Sequence, residues 1–77
     1  MAVIVYSTTH CPWCVKLKDF LTENNVDFEE RNAQENPQYA AELQQKSGGL
    51  AVPVTDVDGT IIIGFNVPKL KEALKLN

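Results

Sequence analysis

Seventy-seven residues, 44 % of them hydrophobic and 22 % charged, describe a globular chain rather than a disordered one, with room for one core and hence one domain over residues 1–77. The formal charge is −3, and residues 19–58 hold nine of the ten acids but only two of the seven bases; such a surface repels a phosphate backbone, which makes nucleic acid a poor partner. The longest purely apolar run, Ala2–Tyr6, is far shorter than the roughly 20 residues that cross a bilayer, and no charged residue precedes Lys16, so neither a membrane span nor a secretory signal with a basic leading region is expected. The expectation is a small acidic domain of the cytoplasm, working as a monomer.

Ala2–Tyr6 (AVIVY) is apolar and rich in β-branched residues, which predicts a strand buried on both faces. Ser7–His10 reads as a polar loop. From Cys11 the period becomes helical: Cys14, Leu17, Phe20 and Leu21 share one side, with Lys16, Lys18, Asp19 and Glu23 largely opposite. Pro12 sits in the first turn, where its missing N–H costs nothing, and Asn24–Asn25 ends the helix with residues that tolerate a left-handed backbone. Val26–Arg31 sets Val26, Phe28 and Glu30 against Asp27, Glu29 and Arg31, the alternation of a short edge strand.

Asn36 followed by Pro37 predicts a capped second helix. Tyr39, Ala40 and Leu43 form its apolar stripe, and Ser47–Gly48–Gly49 stops it. Pro53–Val57 and Thr60–Ile63 flank Asp58–Gly59, the signal of a two-residue hairpin. Asn66 caps a last helix with Val67, Leu70, Ala73 and Leu74 inward and Lys69, Lys71 and Lys75 outward. Tyr6, Phe20, Phe28 and Tyr39 read as core packing. The order β-α-β-α-β-β-α implies a parallel strand pair followed by an antiparallel hairpin, with helices on both faces of the sheet.

Cys11 and Cys14 are the only cysteines, and they form one C-x-x-C that opens the first helix. A bridge across so short a loop removes little entropy from the unfolded chain, so stability is not its purpose. A structural zinc site needs four ligands, and His10, adjacent to Cys11, is the only histidine; no metal site is expected, and His10 reads as a loop residue without a role. An inert bridge and an iron–sulfur cluster shared between two chains stay open as other uses of the pair, although Pro12 between the cysteines argues mildly against a cluster. Thiol–disulfide exchange uses the placement best. The unpaired N–H groups at the helix start favour a Cys11 thiolate. Cys14, one turn on and on the same side, can resolve the mixed disulfide that Cys11 forms.

Val5-Tyr6-Ser7, the Cys11-Pro12-Trp13-Cys14 motif, Ser47-Gly48, Val52-Pro53 and Gly64-Phe65 are the residues by which the sequence resembles the glutaredoxins. More closely, it resembles the short glutaredoxin-like redoxins, including the type that serves ribonucleotide reductase. The resemblance runs over essentially the whole chain. It implies a thioredoxin-like fold, an α/β arrangement with a four-stranded mixed sheet, and a thiol–disulfide oxidoreductase in which Cys11 attacks and Cys14 resolves. It also implies a cis Pro53 lying against the cysteines, with the Val52 backbone free to pair with an extended substrate peptide. Trp13 then either faces partner proteins or folds over its own helix.

The same resemblance implies no tightly bound cofactor and glutathione as a possible co-substrate. Thr8, Pro12, Trp13, Val52, Pro53, Gly64, Phe65 and Asn66 are the candidate contacts for glutathione or substrate. Glutathione-using members hold their ligand with charged groups at positions that here carry Thr8, a residue near Ala40, and Asn66-Val67-Pro68 after Gly64-Phe65, so charge-assisted contacts are mostly missing. The expected partners are disulfide-containing proteins or small disulfides, with glutathione or a flavoprotein thioredoxin reductase as the electron source. Donation of electrons to ribonucleotide reductase is one alternative.

Overall fold

The computed structural model describes residues 1–76. Its central strand is β1 (Val3–Ser7), flanked by β2 (Glu29–Asn32) on one side and β3 (Val54–Val57) on the other, with β4 (Thr60–Ile63) at the far edge. β1 runs parallel to β2 and antiparallel to β3, and β3 and β4 form an antiparallel hairpin. The hairpin turns through Asp58 and Gly59, both at positive φ (49° and 94°), the backbone that matches the twist of the two strands. The result is a four-stranded mixed sheet of thioredoxin-like topology.

The helices α1 (Pro12–Glu23), α2 (Pro37–Ser47) and α3 (Val67–Leu74) divide between the two faces. Leu17 and Leu21 of α1 and Leu70 and Leu74 of α3 bury against Val3, Val5, Val57 and Ile62, with Phe20, Val26, Phe28 and Phe65 around the edge. On the other face Leu43 of α2 meets Tyr6 and Val54. Each fully buried leucine or valine contributes about 1.5–3 kcal/mol, so the α1/α3 face carries most of the apolar stabilisation. Among the described residues no helix is long and apolar enough to cross a membrane.

Several boundaries differ from the sequence expectation for local reasons. Ser7 ends β1 instead of opening the loop, because it still pairs with Asn32 of β2 and its hydroxyl has a partner. β2 begins at Glu29 rather than Val26: Asn25 turns left-handed (φ 58°) and the Val26 N–H closes onto the Leu21 carbonyl at 2.9 Å, so Val26–Phe28 link the helix end to the strand. Pro53 precedes β3, having no N–H for a ladder. Tyr39 stays out of the core; it is half-buried under the Arg31 guanidinium, 5.5 Å from its ring centre. Of the α2 stripe only Leu43 is buried.

What α2 lacks in apolar contact it makes up in polar contact. The buried Tyr6 hydroxyl donates to Glu42 (2.8 Å) and accepts from the Lys46 ammonium (2.8 Å). Lys46 also donates to Asp56 (2.7 Å), and Arg31 donates to Glu42 (2.6 Å). One network thus fastens α2 to β1, β2 and β3. The Tyr6 hydroxyl, then Arg31, hold the Glu42 carboxyl below its ordinary range. Burial pushes the Asp56 carboxyl up, but the hydrogen bonds from Lys46 and the Gly59 N–H outweigh it and leave it below its ordinary value.

Both carboxylates have folded pKa values below the unfolded ones, so their stabilisation is full above the ordinary carboxylate pKa of about 4 and is lost as pH falls from there through the lower folded values. The denaturant midpoint is therefore expected to drop between about pH 5 and about pH 3, and to drop less in Asp56→Asn; equal slopes for the two proteins would remove this network from the account. A second expectation concerns Thr55, whose hydroxyl is fully buried without a partner among the described residues. Thr55→Val keeps the shape and removes the orphan, so its unfolding free energy should be unchanged or higher, by up to about 1 kcal/mol; a clear loss would show that the hydroxyl is bonded in solution.

Candidate active site

β1 delivers the chain into Thr8–Cys11, and Cys11 becomes the N-cap of α1 with an extended backbone (φ −137°, ψ 93°). Its Sγ accepts the backbone N–H of Cys14 at 3.2 Å, the bond that an oxygen of serine or aspartate makes in an ordinary cap. Pro12 follows at the first helical position. Cys11 and Cys14 are joined by a disulfide with Cα atoms 5.2 Å apart. Cys14 is 1 % exposed, whereas Cys11 is half-buried. The outer sulfur therefore faces both solvent and the unpaired N–H groups of the helix start, which stabilise its anion.

Trp13, between the cysteines, is 57 % exposed. The Lys16 ammonium lies 4.3 Å from its ring centre and the Phe65 ring 6.3 Å, so it faces outward and is also covered in part by its own helix. Phe65 in turn packs edge-on against Phe20 at 5.9 Å, linking this rim to the core. The Val52–Pro53 peptide bond is cis, and the Pro53 carbonyl accepts the Gly64 N–H at 2.8 Å. Gly64 has φ +82°, a backbone that L side chains rarely adopt. A hydrogen bond from Gly64 to Pro53 and a ring contact from Phe65 to Trp13 thus tie the Val52–Pro53 and Gly64–Phe65 segments to the residue between the cysteines.

The remaining candidates are placed differently. The Asn66 side chain accepts the Lys69 N–H at 3.2 Å and so caps α3. Thr8 is half-buried in the loop three residues before Cys11, and Val52 is half-buried against the α2-side core. Thr9 ties that loop to the chain after β2, its N–H donating to Gln34 at 3.2 Å.

Glu30 was not singled out in the sequence, yet it lies against this region. One of its oxygens accepts both the hydroxyl of the fully buried Ser7 (2.7 Å) and the Lys18 ammonium (2.8 Å). Lys18 first, then Ser7, hold the Glu30 carboxyl below its ordinary value. The signal was present as an acid on the apolar side of the Val26–Phe28–Glu30 alternation, although the side chain stays 38 % exposed.

Residues 3–62 match the family model described as Glutaredoxin. The chain belongs to the glutaredoxin family. A glutaredoxin-like 8.6 kDa protein of Clostridium pasteurianum, from a rubredoxin operon, is 37 % identical over 71 residues (92 % of this chain, 95 % of that one). A glutaredoxin of Pseudomonas aeruginosa is 39 % identical over 76 residues (97 % and 90 %), and the glutaredoxin-like protein NrdH of Lactococcus lactis is 32 % identical over 68 residues (88 % and 93 %). Among solved structures, a glutaredoxin from Archaeoglobus fulgidus superposes with a TM-score of 0.88 at 30 % identity (97 % and 88 %). The NrdH-redoxin from Escherichia coli gives 0.81 at 25 % identity (94 % and 93 %). This glutaredoxin is accordingly an NrdH-like redox protein with its Cys11–Cys14 pair at disulfide distance.

The exposure difference predicts the order of alkylation. In the reduced glutaredoxin, iodoacetamide should modify Cys11 well before Cys14, and the rate should rise through a midpoint below the free-thiol value of about 8.5. Mass spectrometry of the modified peptides reads both; Cys14 reacting first would contradict the assignment of the outer sulfur.

Proposed function

We propose that this glutaredoxin is a cytoplasmic thiol–disulfide oxidoreductase that reduces protein or small-molecule disulfides, working as a monomer without a tightly bound cofactor. The observation that carries the reading is the Cys11 sulfur in the cap of α1, bonded to the Cys14 N–H and backed by a buried second cysteine. The Cys11 thiolate attacks one sulfur of the substrate, forming a Cys11–substrate bond and releasing the other substrate sulfur as a thiolate that takes a proton from solvent. Cys14 loses its proton and attacks Cys11 Sγ; the intramolecular disulfide forms and the second substrate thiolate leaves. Two electrons have passed to the substrate, and an external dithiol or thiol must return them.

For that reductant we favour a flavoprotein thioredoxin reductase over glutathione. The positions that would fix a charged tripeptide hold Thr8, Gly64, Phe65 and Asn66, and the Asn66 side chain is already engaged in capping α3. The likeness to NrdH proteins supports the same donor, and the Escherichia coli NrdH-redoxin has a thioredoxin-like activity profile. Ribonucleotide reductase is then a candidate electron acceptor.

NADPH consumption with a small disulfide separates the donors when glutathione plus glutathione reductase is run beside thioredoxin reductase alone. Turnover mainly with thioredoxin reductase is the expected result; turnover mainly with glutathione would overturn the choice of donor and keep the chemistry. Cys11→Ser should abolish turnover in both, while Cys14→Ser should accumulate a mixed disulfide visible by mass spectrometry. A fully active Cys11→Ser protein would sink the mechanism.

A further inference from the structure

Glu30 is the one charged strand residue, among those described, that the sheet turns toward α1. Strand pairing sets Glu30 beside Val5, Val5 opposite Thr55 and Thr55 opposite Ile62, and this row belongs to the face that packs on α1 and α3. Arg31 and Asp56, one residue along, belong to the α2 side and are engaged there. A single oxygen of Glu30 holds Ser7, four residues before Cys11, and Lys18, four residues after Cys14. Residues four apart on a helix have Cβ atoms about 5–6 Å apart, so the Lys18 stem leaves α1 one turn from Cys14 and carries the charge that Glu30 meets. The other charged groups around α1 are placed differently: Lys16 lies over Trp13, and Asp19, Glu23, His10 and, on α3, Lys69, Lys71 and Glu72 are solvent-exposed, whereas Glu30, 38 % exposed at its side chain, is bonded inward to the fully buried Ser7.

We propose that Glu30 and Lys18 are positioning residues whose opposed charges set the ionisation of Cys14, and with it the poise of the Cys11–Cys14 couple. The inference rests on the dithiol chemistry proposed above. Cys14 must shed its proton before it can attack the mixed disulfide. A cation one turn away favours its thiolate and an anion disfavours it; with both present and bonded, their effects largely cancel. Reduction of the disulfide takes two electrons and up to two protons, so at a pH above the Cys14 pKa, where reduced Cys14 is a thiolate, a more acidic Cys14 favours the dithiol form, and a less acidic one the disulfide.

The two charges therefore predict shifts of opposite sign. Glu30→Gln keeps an acceptor for Ser7 and Lys18 but removes the anion. It should lower the Cys14 pKa and raise the dithiol/disulfide equilibrium constant about two- to threefold at low ionic strength, where charges about 10 Å apart are still felt. Lys18→Met keeps the stem and removes the cation, and it should move both quantities the other way by a similar factor. The double variant should return close to the parent, and added salt should shrink the single-variant differences.

Equilibration with dithiothreitol redox buffers at a pH above the Cys14 pKa, followed by quantifying free thiols, reads the couple without any reductase or natural substrate. Absorbance of the thiolate at 240 nm against pH, in a Cys11→Ser background, reads Cys14 alone. Opposite shifts that cancel in the double variant establish the pair as tuning Cys14. No shift, or shifts of the same sign in both single variants, reduces Glu30 and Lys18 to a structural clip and overturns the inference. A normal dithiothreitol equilibrium without NADPH-linked turnover would count against the proposed function and leave this inference standing. Cysteines that do not exchange with dithiothreitol would overturn both.

Discussion

The hydrogen bond from the Cys14 N–H to the Cys11 sulfur makes one atom the helix cap and, in the function proposed, the reactive centre as well. To cap, Cys11 must hold an extended backbone immediately before a proline-started helix, so β1 has to end within a few residues of it. To react, the same atom must stay in reach of solvent while its partner sinks below the surface. Both demands are met because α1 is pressed on the sheet by Leu17 and Leu21. The helix start is thereby fixed at the carboxyl end of the central strand, and Cys14, on the same stripe as the leucines, is carried inward by their packing. The core and the site are one construction.

The two faces of the sheet solve the same problem with different chemistry. Toward α1 and α3 the contact is an apolar layer into which the Glu30–Ser7–Lys18 group and the Thr55 hydroxyl intrude. Toward α2 the apolar contact is thin, and Tyr6, Glu42, Lys46, Asp56 and Arg31 bind helix to sheet through directional bonds. Apolar contact tolerates sliding, whereas a branched polar network has one good geometry, and removing a member leaves its partners unsatisfied. In a chain this small, which buries only about 60 % of its unfolded surface, the α2 face is where modest changes of condition are felt first.

Much of this was legible in the residues. The β-branched run at Ala2–Tyr6, the two asparagine caps at Asn36 and Asn66 and the Asp58–Gly59 turn are local signals whose physics does not depend on the rest of the chain, and each element formed within a residue or two. The start of β2 was not readable, because it is decided by how α1 unwinds at Asn25, and alternation alone does not report where a helix releases the chain. Tyr39 looked apolar in a helical stripe but met Arg31 from the neighbouring strand, a contact with no sequence spacing to announce it. The cysteine pair was visible through spacing and the V-P and G-F segments through resemblance. The Glu30–Lys18 pairing joins residues twelve apart, and only the parallel register of β1 and β2 brings them together.

Trp13 has a consequence of another kind. It is the chain's single tryptophan, it is bonded in sequence between the proline and the buried cysteine, and it is exposed beside Phe65. All indole emission from this protein therefore originates within one residue of the disulfide, with no second tryptophan to dilute it. A change of sulfur oxidation state, or a partner docking on the cysteine pair in the function proposed, takes place beside that ring. The molecule thus carries its own optical gauge at the point where electrons cross, and its redox state and its occupancy can be followed in real time without attaching a label.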